Sequence, residues 1–393
     1  NMKKHILITL LILLVIFIFT SIFNIYGVKK NVNYSYTDNM PFGIRNRNID
    51  HNNSYENFQN KESKLKTIPQ FYRPFVNLKD DKGNNLNVIL VSHPFSRVSG
   101  KGSYQDYKDY KDKCIFIGIT SYSTYPSIVV NPYDSMNNPK DHVWNYDYKN
   151  MFDGWFHCFR NPGEYIKCTN PKSTQLLLSE SDFVNYDDFN PDYNITRDFD
   201  FIYICPEDEK DKCEDNGWVA FSKNWILAKE CITIMCSFGL KGVLVGRKNC
   251  NFPPNIEKNL TKTSFLSKDE LKTLYNRSKF IFLPNKYDAS PRILAEAICM
   301  NCRCLVYKDI LGGWKYVNKQ TGEFFSDKND IIIGVKTIML NYNNYSPRKY
   351  YLENYGKLNS GKNLKKFLLE NYKDRLNLDI TNSKYVTLNL NWA

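Results

Sequence analysis

Through the second half of the chain, short unbroken apolar runs alternate with longer stretches whose apolar residues recur at helical spacing. DFDFIYIC, from Asp198, reads as a buried strand. AFSKNWILAKECITIMCSF (Ala220–Phe238) predicts one helix, with Trp225, Leu227, Ile232 and Met235 available to face a sheet. LKGVLVGR (Leu240–Arg247) predicts a strand and a turn, and SKDELKTLYNRS (Ser267–Ser278) a helix opened by a capping box, because Glu270 follows Ser267 by three residues. KFIFLP (Lys279–Pro284) is a strand, and YDASPRILAEAICM supplies the next helix. CRCLVY is a strand, ILGG a turn ending in Gly312-Gly313, and DIIIGVKTIMLNY a helix. Strands alternating with helices of roughly 10–15 residues predict a parallel sheet covered on both faces.

The first half is less regular. NLNVILVSHPF (Asn85–Phe95), CIFIGITSY (Cys114–Tyr122) and TQLLLSESDF (Thr174–Phe183) are strand candidates. SRVSGKGSYQDYKDYKDK reads as a polar loop, and MFDGWFHCFRNPGEY as an aromatic stretch. Residues 31–84 are Asn-rich and without periodicity, the pattern of a stem. The tail carries one helix candidate, Gly361–Leu376. The expected organisation is a membrane segment in 1–30, the stem in 31–84, a first domain in 85–197, a second in 198–342 and a helical tail in 343–393.

The membrane segment rests on Ile6–Phe23, an uncharged apolar run of about 18 residues, just enough to span a bilayer. Thr20-Ser21-Ile22-Phe23-Asn24 is a poor cleavage site, so an uncleaved signal anchor is expected, type II with the body in a lumenal compartment. Lysines on both flanks leave the orientation open. The formal charge of +12 suits a phosphate-bearing partner or an acidic membrane surface. The abundance of Asn, Lys, Ile and Tyr has the look of genomic bias, which weakens that signal. No module with clustered Lys and Arg points to nucleic acid.

Cys299, Cys302 and Cys304 have no second pair at zinc spacing and are expected as buried thiols. Of eleven cysteines, an odd number, at least one stays unpaired if disulfides form. Sequons stand at Asn33, Asn52, Asn194, Asn259, Asn276 and Asn344, acceptors only if the body is lumenal.

The chemistry concentrates around the Tyr287–Val306 stretch. Ligands of open α/β sheets sit at the carboxyl ends of strands, and KFIFLP ends just before Asp288. Ser290 is a candidate N-cap and Pro291 suits the first helical position. The N–H groups of Arg292 and Ile293 would then open an anion site, to which the Arg292 guanidinium adds a two-donor cation. Glu296, one turn beyond Arg292, can accept two hydrogen bonds from a vicinal diol such as a ribose. In the plain structural alternative, Asp288 is a loop acid and Glu296 merely pairs with Arg292.

The order of segments resembles the nucleotide-sugar-binding domain of group 1 (family 4) glycosyltransferases. The shared features are SKDELKTLYNRSKFIFLP, an acid and a Glu separated by seven residues (Asp288, Glu296), RCLVY, Gly312-Gly313 and Thr321-Gly322. The resemblance covers Asp198 to Tyr342. It implies an α/β protein of the GT-B fold, two Rossmann-like domains facing a cleft, the N-terminal one short and divergent. It implies transfer of a sugar from a nucleoside diphosphate sugar to a glycan, protein or lipid acceptor hydroxyl, with retention and without a metal or other cofactor. Glu296 would bind the ribose, Asp288 would lie near the anomeric carbon, and Lys223 would neutralise the diphosphate; a solvated lysine at a helix start fits Lys223 equally. Ser290, Ile293, Arg292, Gly312 and Gly313 join the donor-binding candidates.

Two departures stand out. The first acid is Asp where Glu is commoner, and Cys205-Pro206 replaces the usual Gly-Arg after the domain's first strand, leaving Arg292 or Arg247 as substitute cations. In the first half, His157 can bond a donor-sugar hydroxyl; a packed core histidine fits as well, and the same holds for His93. The alternative function is a catalytically silent nucleotide- or glycan-binding protein on this scaffold. A third is a structural protein bound to a membrane surface through its charge.

Overall fold

The structure is a computed structural model that describes residues 68–71, 74–96, 102–121, 123–127, 142–143, 145–166 and 173–388. All fall in one compact unit. The apolar run 6–23, most of the expected stem and the sequons at Asn33 and Asn52 lie outside the described residues; among those described, no helix is long and apolar enough to cross a membrane.

The strands are β1 (Phe75–Asp80), β2 (Asn85–Val91), β3 (Phe95–Ser96), β4 (Ile115–Ile119), β5 (His142–Val143), β6 (Gly154–His157), β7 (Thr174–Leu177), β8 (Phe199–Ile204), β9 (Gly242–Val245), β10 (Leu260–Thr263), β11 (Ser278–Leu283), β12 (Arg303–Tyr307), β13 (Gly322–Phe325) and β14 (Val386–Leu388). They form two six-stranded sheets, ordered β14-β1-β2-β4-β6-β7 and β10-β9-β8-β11-β12-β13, beside a small β3–β5 pair. The second sheet is parallel throughout. Counted from its own first strand its order is 3-2-1-4-5-6, the doubly wound order, with a switch point between β8 and β11. Two parallel-rich α/β sheets fit the GT-B architecture expected from the sequence.

Alternate side chains of the second sheet point to opposite faces, and both faces are buried, as parallel strands require. Ile202, Ile204, Val243, Ile281 and Leu283 pack under Leu294, Ala297 and Ile298 of the helix Arg292–Cys299. Phe201, Tyr203, Leu244, Phe280 and Phe282 pack on the other side, under Trp225, Ile232 and Met235 of Trp225–Ser237 and Ile331, Val335 and Ile338 of Ile331–Leu340. Each Val, Leu, Ile, Phe or Met among them contributes about 1.5–3 kcal/mol when fully buried.

The expected capping box is present: Glu270 Oε2 accepts from Ser267 N at 2.7 Å and opens the helix Lys268–Arg277. Several other expectations change. The loop expected after β2 contains the helix Gly102–Tyr110, held by Tyr104 and Tyr107 against Phe95. Thr174–Phe183 divides into β7 and a 3-10 turn, Glu180–Phe183, because Ser179 and Asp182 cap one another. Strand β1 falls inside the stretch expected as stem, and β10 and β13 are further strands the apolar pattern did not announce.

The tail belongs to the first sheet. Leu364, Phe367, Leu368 and Tyr372 of the helix Gly356–Tyr372 cover its Val88, Leu90, Ile115, Ile117 and Phe156 face, and β14 pairs antiparallel with β1, Leu388 opposite Leu78. The first half is short because the chain's end completes it.

A buried polar cluster joins the two halves. Asp182 accepts from Ser179 N at 2.9 Å, from Lys315 Nζ at 2.6 Å and from the Tyr316 hydroxyl, while its carbonyl accepts from Ser360 Oγ at 2.8 Å. The Lys315 and Asp182 side chains are 7 % and 2 % exposed. Removing one partner of a buried pair strands the other charge and costs about 3–5 kcal/mol. Asp182→Ala should therefore lose about that much stability in urea unfolding. The double variant Asp182→Ala/Lys315→Met should regain part of it, since no uncompensated ammonium remains.

Candidate active site

The switch point lies where the loops leaving the carboxyl ends of β8 and β11 separate, and both carry candidate residues. Beyond β8, the Asp208 carboxylate accepts from Val219 N at 2.6 Å and Ala220 N at 2.8 Å, starting the short helix Trp218–Ser222. The helix expected over Ala220–Phe238 is broken: Asn224 takes a left-handed φ of 55°, and a new helix begins at Trp225. Asn is among the few residues that tolerate this conformation. The break leaves Lys223 at the junction, its ammonium free to point across to the next loop.

That loop follows β11. Lys286 N and Tyr287 N both donate to Ser222 O at 3.0 Å, and the Tyr287 ring stacks on Phe221 with centroids 5.0 Å apart. Lys223 Nζ ion-pairs with Asp288 Oδ2, which also accepts from Asn285 Nδ2 at 2.8 Å. Asn285 is fully buried, and its Oδ1 has no partner. From the far side, Gly312 N donates to Asp288 O at 2.9 Å and Leu311 N to Lys286 O at 2.9 Å. A Cβ on Gly312 would sit 1.9 Å from Ala289 O, and Gly313 has φ 78°. The glycine pair thus lets this turn close against the backbone that carries Asp288.

Ser290 does not cap the site helix. Its hydroxyl accepts from Ser181 N at 2.8 Å, a bond between the two halves, and Pro291 occupies the N-cap position instead. Arg292 reaches Glu296, Nη2 to Oε1 at 3.4 Å. Tyr275 donates its hydroxyl to Glu296 Oε2 at 3.3 Å. Glu296 is buried; desolvation pushes its carboxyl above the usual range, against the opposing pull of Arg292 and Tyr275. Ile293 is half-buried against the core. Arg348 closes the helix's other end, donating to Cys299 O at 2.7 Å.

Arg247 lies inside the protein. Its guanidinium donates to Cys205 Sγ at 3.1 Å and Glu214 O at 2.9 Å, meets Asp208 at 3.4 Å and lies 4.6 Å from the Trp225 ring centre. It is fully enclosed, so it braces the loop after β8 and presents no donor to a ligand. Cys213 and Cys250 form a disulfide across the same region. Cys299, Cys302 and Cys304 are free, buried thiols. Among the described residues, no group of three or more His, Cys, Asp or Glu is placed to hold a metal ion.

His157 ends β6, at the carboxyl edge of the first sheet. It is 7 % exposed, its Nδ1 has no hydrogen-bond partner, and its ring lies parallel to Phe159 at 6.2 Å. Trp314 Nε1 donates to the next residue's carbonyl, Cys158 O, at 2.7 Å, so the turn after Gly313 is fixed beside this strand end. His93 Nδ1 meets Pro94 O at 2.9 Å at the carboxyl end of β2. Asn285, Tyr275 and Lys315 stand in the site without being sequence candidates for it. Asn285 carried a faint signal, an amide directly after the strand-ending Pro284 and three residues before the acid.

No protein-family profile and no curated protein matches the chain. Among solved structures, the chain is similar to sucrose-phosphate synthase from Thermosynechococcus elongatus at 11 % identity and TM-score 0.47, covering 68 % of this chain and 70 % of that one. It is similar to Anabaena HepE, solved with UDP, at 8 % identity and TM-score 0.47, over 67 % and 74 % of the two chains. It is similar to TarM at 12 % identity and TM-score 0.45, over 66 % of this chain and half of TarM. The fold assignment rests on the strand orders given above.

Burial lowers the His157 pKa to about 4, from the usual 6.5; the Lys315 charge lowers it too, and contact with the Phe159 backbone opposes them. The unfolded chain therefore binds this proton more readily than the folded one. The stability that neutral His157 contributes is complete above pH 6.5 and is lost as pH falls toward 4, by at most about 1.4 kcal/mol per unit. Melting temperatures measured from pH 7.5 to 4.5 should fall more steeply for wild type than for His157→Gln.

Proposed function

We propose that the protein is a glycosyltransferase that moves a sugar from a nucleoside diphosphate sugar to an acceptor hydroxyl. The observation that carries this reading is the meeting of Lys223 and Asp288 at the switch point of a parallel sheet ordered 3-2-1-4-5-6. A diphosphate bound there takes Lys223 from Asp288. The ammonium then neutralises charge that develops on the leaving group as the glycosidic bond breaks. In this reading Glu296, oriented by Tyr275, accepts from the ribose diol. Asp288, oriented by Asn285, faces the donor sugar. Neutral His157 offers its unpaired Nδ1 to a sugar hydroxyl. Lysine supplies the cation in this scheme, so turnover should persist in a chelator, and we expect retention at the anomeric carbon. We further assign the apolar run 6–23 as a membrane anchor with the body on the lumenal side; a Cys213–Cys250 disulfide suits an oxidising compartment.

One observation favours a second reading, a silent nucleotide- or glycan-binding protein on the same scaffold: Lys223 and Asp288 already satisfy one another. A panel of nucleotide sugars separates the two. The transferase reading expects donor hydrolysis by wild type and a loss of about 10²-fold or more in Lys223→Ala and Glu296→Ala. Tight nucleotide binding without turnover would select the silent scaffold, and no nucleotide binding would sink both.

A further inference from the structure

The tail helix Gly356–Tyr372 has two unlike faces. One is buried on the first sheet through Leu364, Phe367, Leu368 and Tyr372. The other borders an open groove of about 500 Å³ whose opposite wall is the returning segment at Thr381 and Lys384. Lys365 holds that wall in place, donating to Thr381 O at 2.7 Å and Ser383 O at 2.6 Å. The groove is lined by Lys362, Lys365, Lys366, Lys373 and Lys384 against one acid, Glu370. Among the described residues its sole ion pair is Lys366–Glu370, at 3.8 Å and exposed to solvent. Hydrogen bonds from Thr381 hold the Asp379 carboxyl below its usual range, and Lys373 and Lys365 add to that pull.

The groove does not end there. Lys366 and Glu370 also line a second cleft, of about 290 Å³, which passes Leu176, Leu177 and Leu178 and reaches Asp182 and Tyr355. Leu177 is the register partner of His157 across β6 and β7. Lys366 and Glu370 are shared by both, so the cleft adjoins the basic groove across that pair, and the two together form a track from the lysines to β7, the strand beside β6.

We propose that this track seats the acceptor, a linear glycan or polyol chain bearing phosphate or carboxylate groups; the acceptor role rests on the glycosyltransferase reading. Lys362 to Lys373 extends roughly 16 Å along the helix axis, at ~1.5 Å per residue, long enough to meet several charges of a repeating anionic chain. Lysines act as point charges that accept varied anion geometry, unlike arginine forks matched to one planar group. A bilayer is a poorer fit. The groove is concave, its one apolar lining side chain is Leu369, and the helix's apolar face, which an interfacial helix would bury in lipid, is already on the sheet. Single-stranded nucleic acid is a poorer fit too, since no aromatic residue lines the lysine-rich groove, where its phosphates would bind, for bases to stack on.

The test uses the full chain and the variant Lys362→Glu/Lys366→Glu/Lys373→Glu, whose substitutions are all on exposed side chains. Circular dichroism confirms that the variant folds. The probes are inorganic polyphosphate, uncharged dextran, phosphatidylglycerol vesicles and single-stranded DNA, with nucleoside diphosphates titrated separately. The proposal expects polyphosphate to bind in a salt-dependent manner, its affinity to fall at least tenfold in the variant, and nucleotide affinity to stay unchanged. Equal polyphosphate binding by both proteins overturns it, as does equal binding of dextran, or a lysine-dependent preference for vesicles or DNA over polyphosphate. If wild type binds polyphosphate but no nucleotide, the acceptor assignment falls with the glycosyltransferase reading, and that failure is distinct from failure of the groove.

Discussion

Asp182 is where the two halves of this protein are held to one geometry. One carboxylate caps the turn after β7, neutralises Lys315 and accepts from Tyr316, while its own carbonyl holds Ser360 of the tail helix. Three segments distant in sequence thus converge on a single buried residue. Tyr351 adds a fourth, donating its hydroxyl to Ser181 O at 2.8 Å. A buried ion pair is weak evidence for net stability, because desolvation offsets much of the attraction. Its value here is positional. The network ties the turn after β7, the segment after Gly312-Gly313 and the tail helix to one another.

The candidate site inherits that relation. Lys315 and Tyr316 follow, after Trp314, on Gly312-Gly313, which close on the backbone of Asp288 and Ala289. Ser181, next to Asp182, donates its N–H to Ser290. A shift at the cluster would therefore move both ends of the Asp288–Pro291 loop. Trp314, bonded to Cys158 O, carries the same constraint to the strand end that holds His157. The candidate site is built from two sheets, yet its geometry is set by hydrogen bonds that lie outside it.

The second half was readable in the sequence because a parallel sheet buries both faces, so its strands appear as apolar runs and its helices as amphipathic stretches between them. The acid–Glu spacing, the glycine pair and the capping box were likewise local. What stayed hidden depends on partners far along the chain. Ser290 has every local feature of an N-cap, but Ser181, 109 residues away, gives its hydroxyl another use. The break at Asn224 falls within an apolar periodicity that runs on unbroken, and only the backbone turn reveals it. Arg247 looked like a spare cation because neither the Trp225 ring nor the Asp208 carboxylate that enclose it is near in sequence. Strand β1 was lost in polar surroundings: it pairs with β2 from Phe75 to Lys79, and the far-off β14 adds its other edge at Leu78–Asp80.

The tail changes how the first half is understood. Taken as an appendage, it leaves a first domain too short for its fold. Returned to the first sheet, it supplies an edge strand and the helix that covers one face, and the domain becomes complete. That helix is then constrained on one side only. Packing dictates Leu364, Phe367 and Leu368, whereas nothing in the fold calls for lysines at positions 362, 366 and 373. A solvated helix face usually mixes signs, and pairs at i,i+4 stabilise it by a few tenths of a kcal/mol each. This face forgoes most such pairs, and self-repulsion among its lysines opposes folding. In the acceptor proposal, that charge is answered by a ligand that brings the opposite sign.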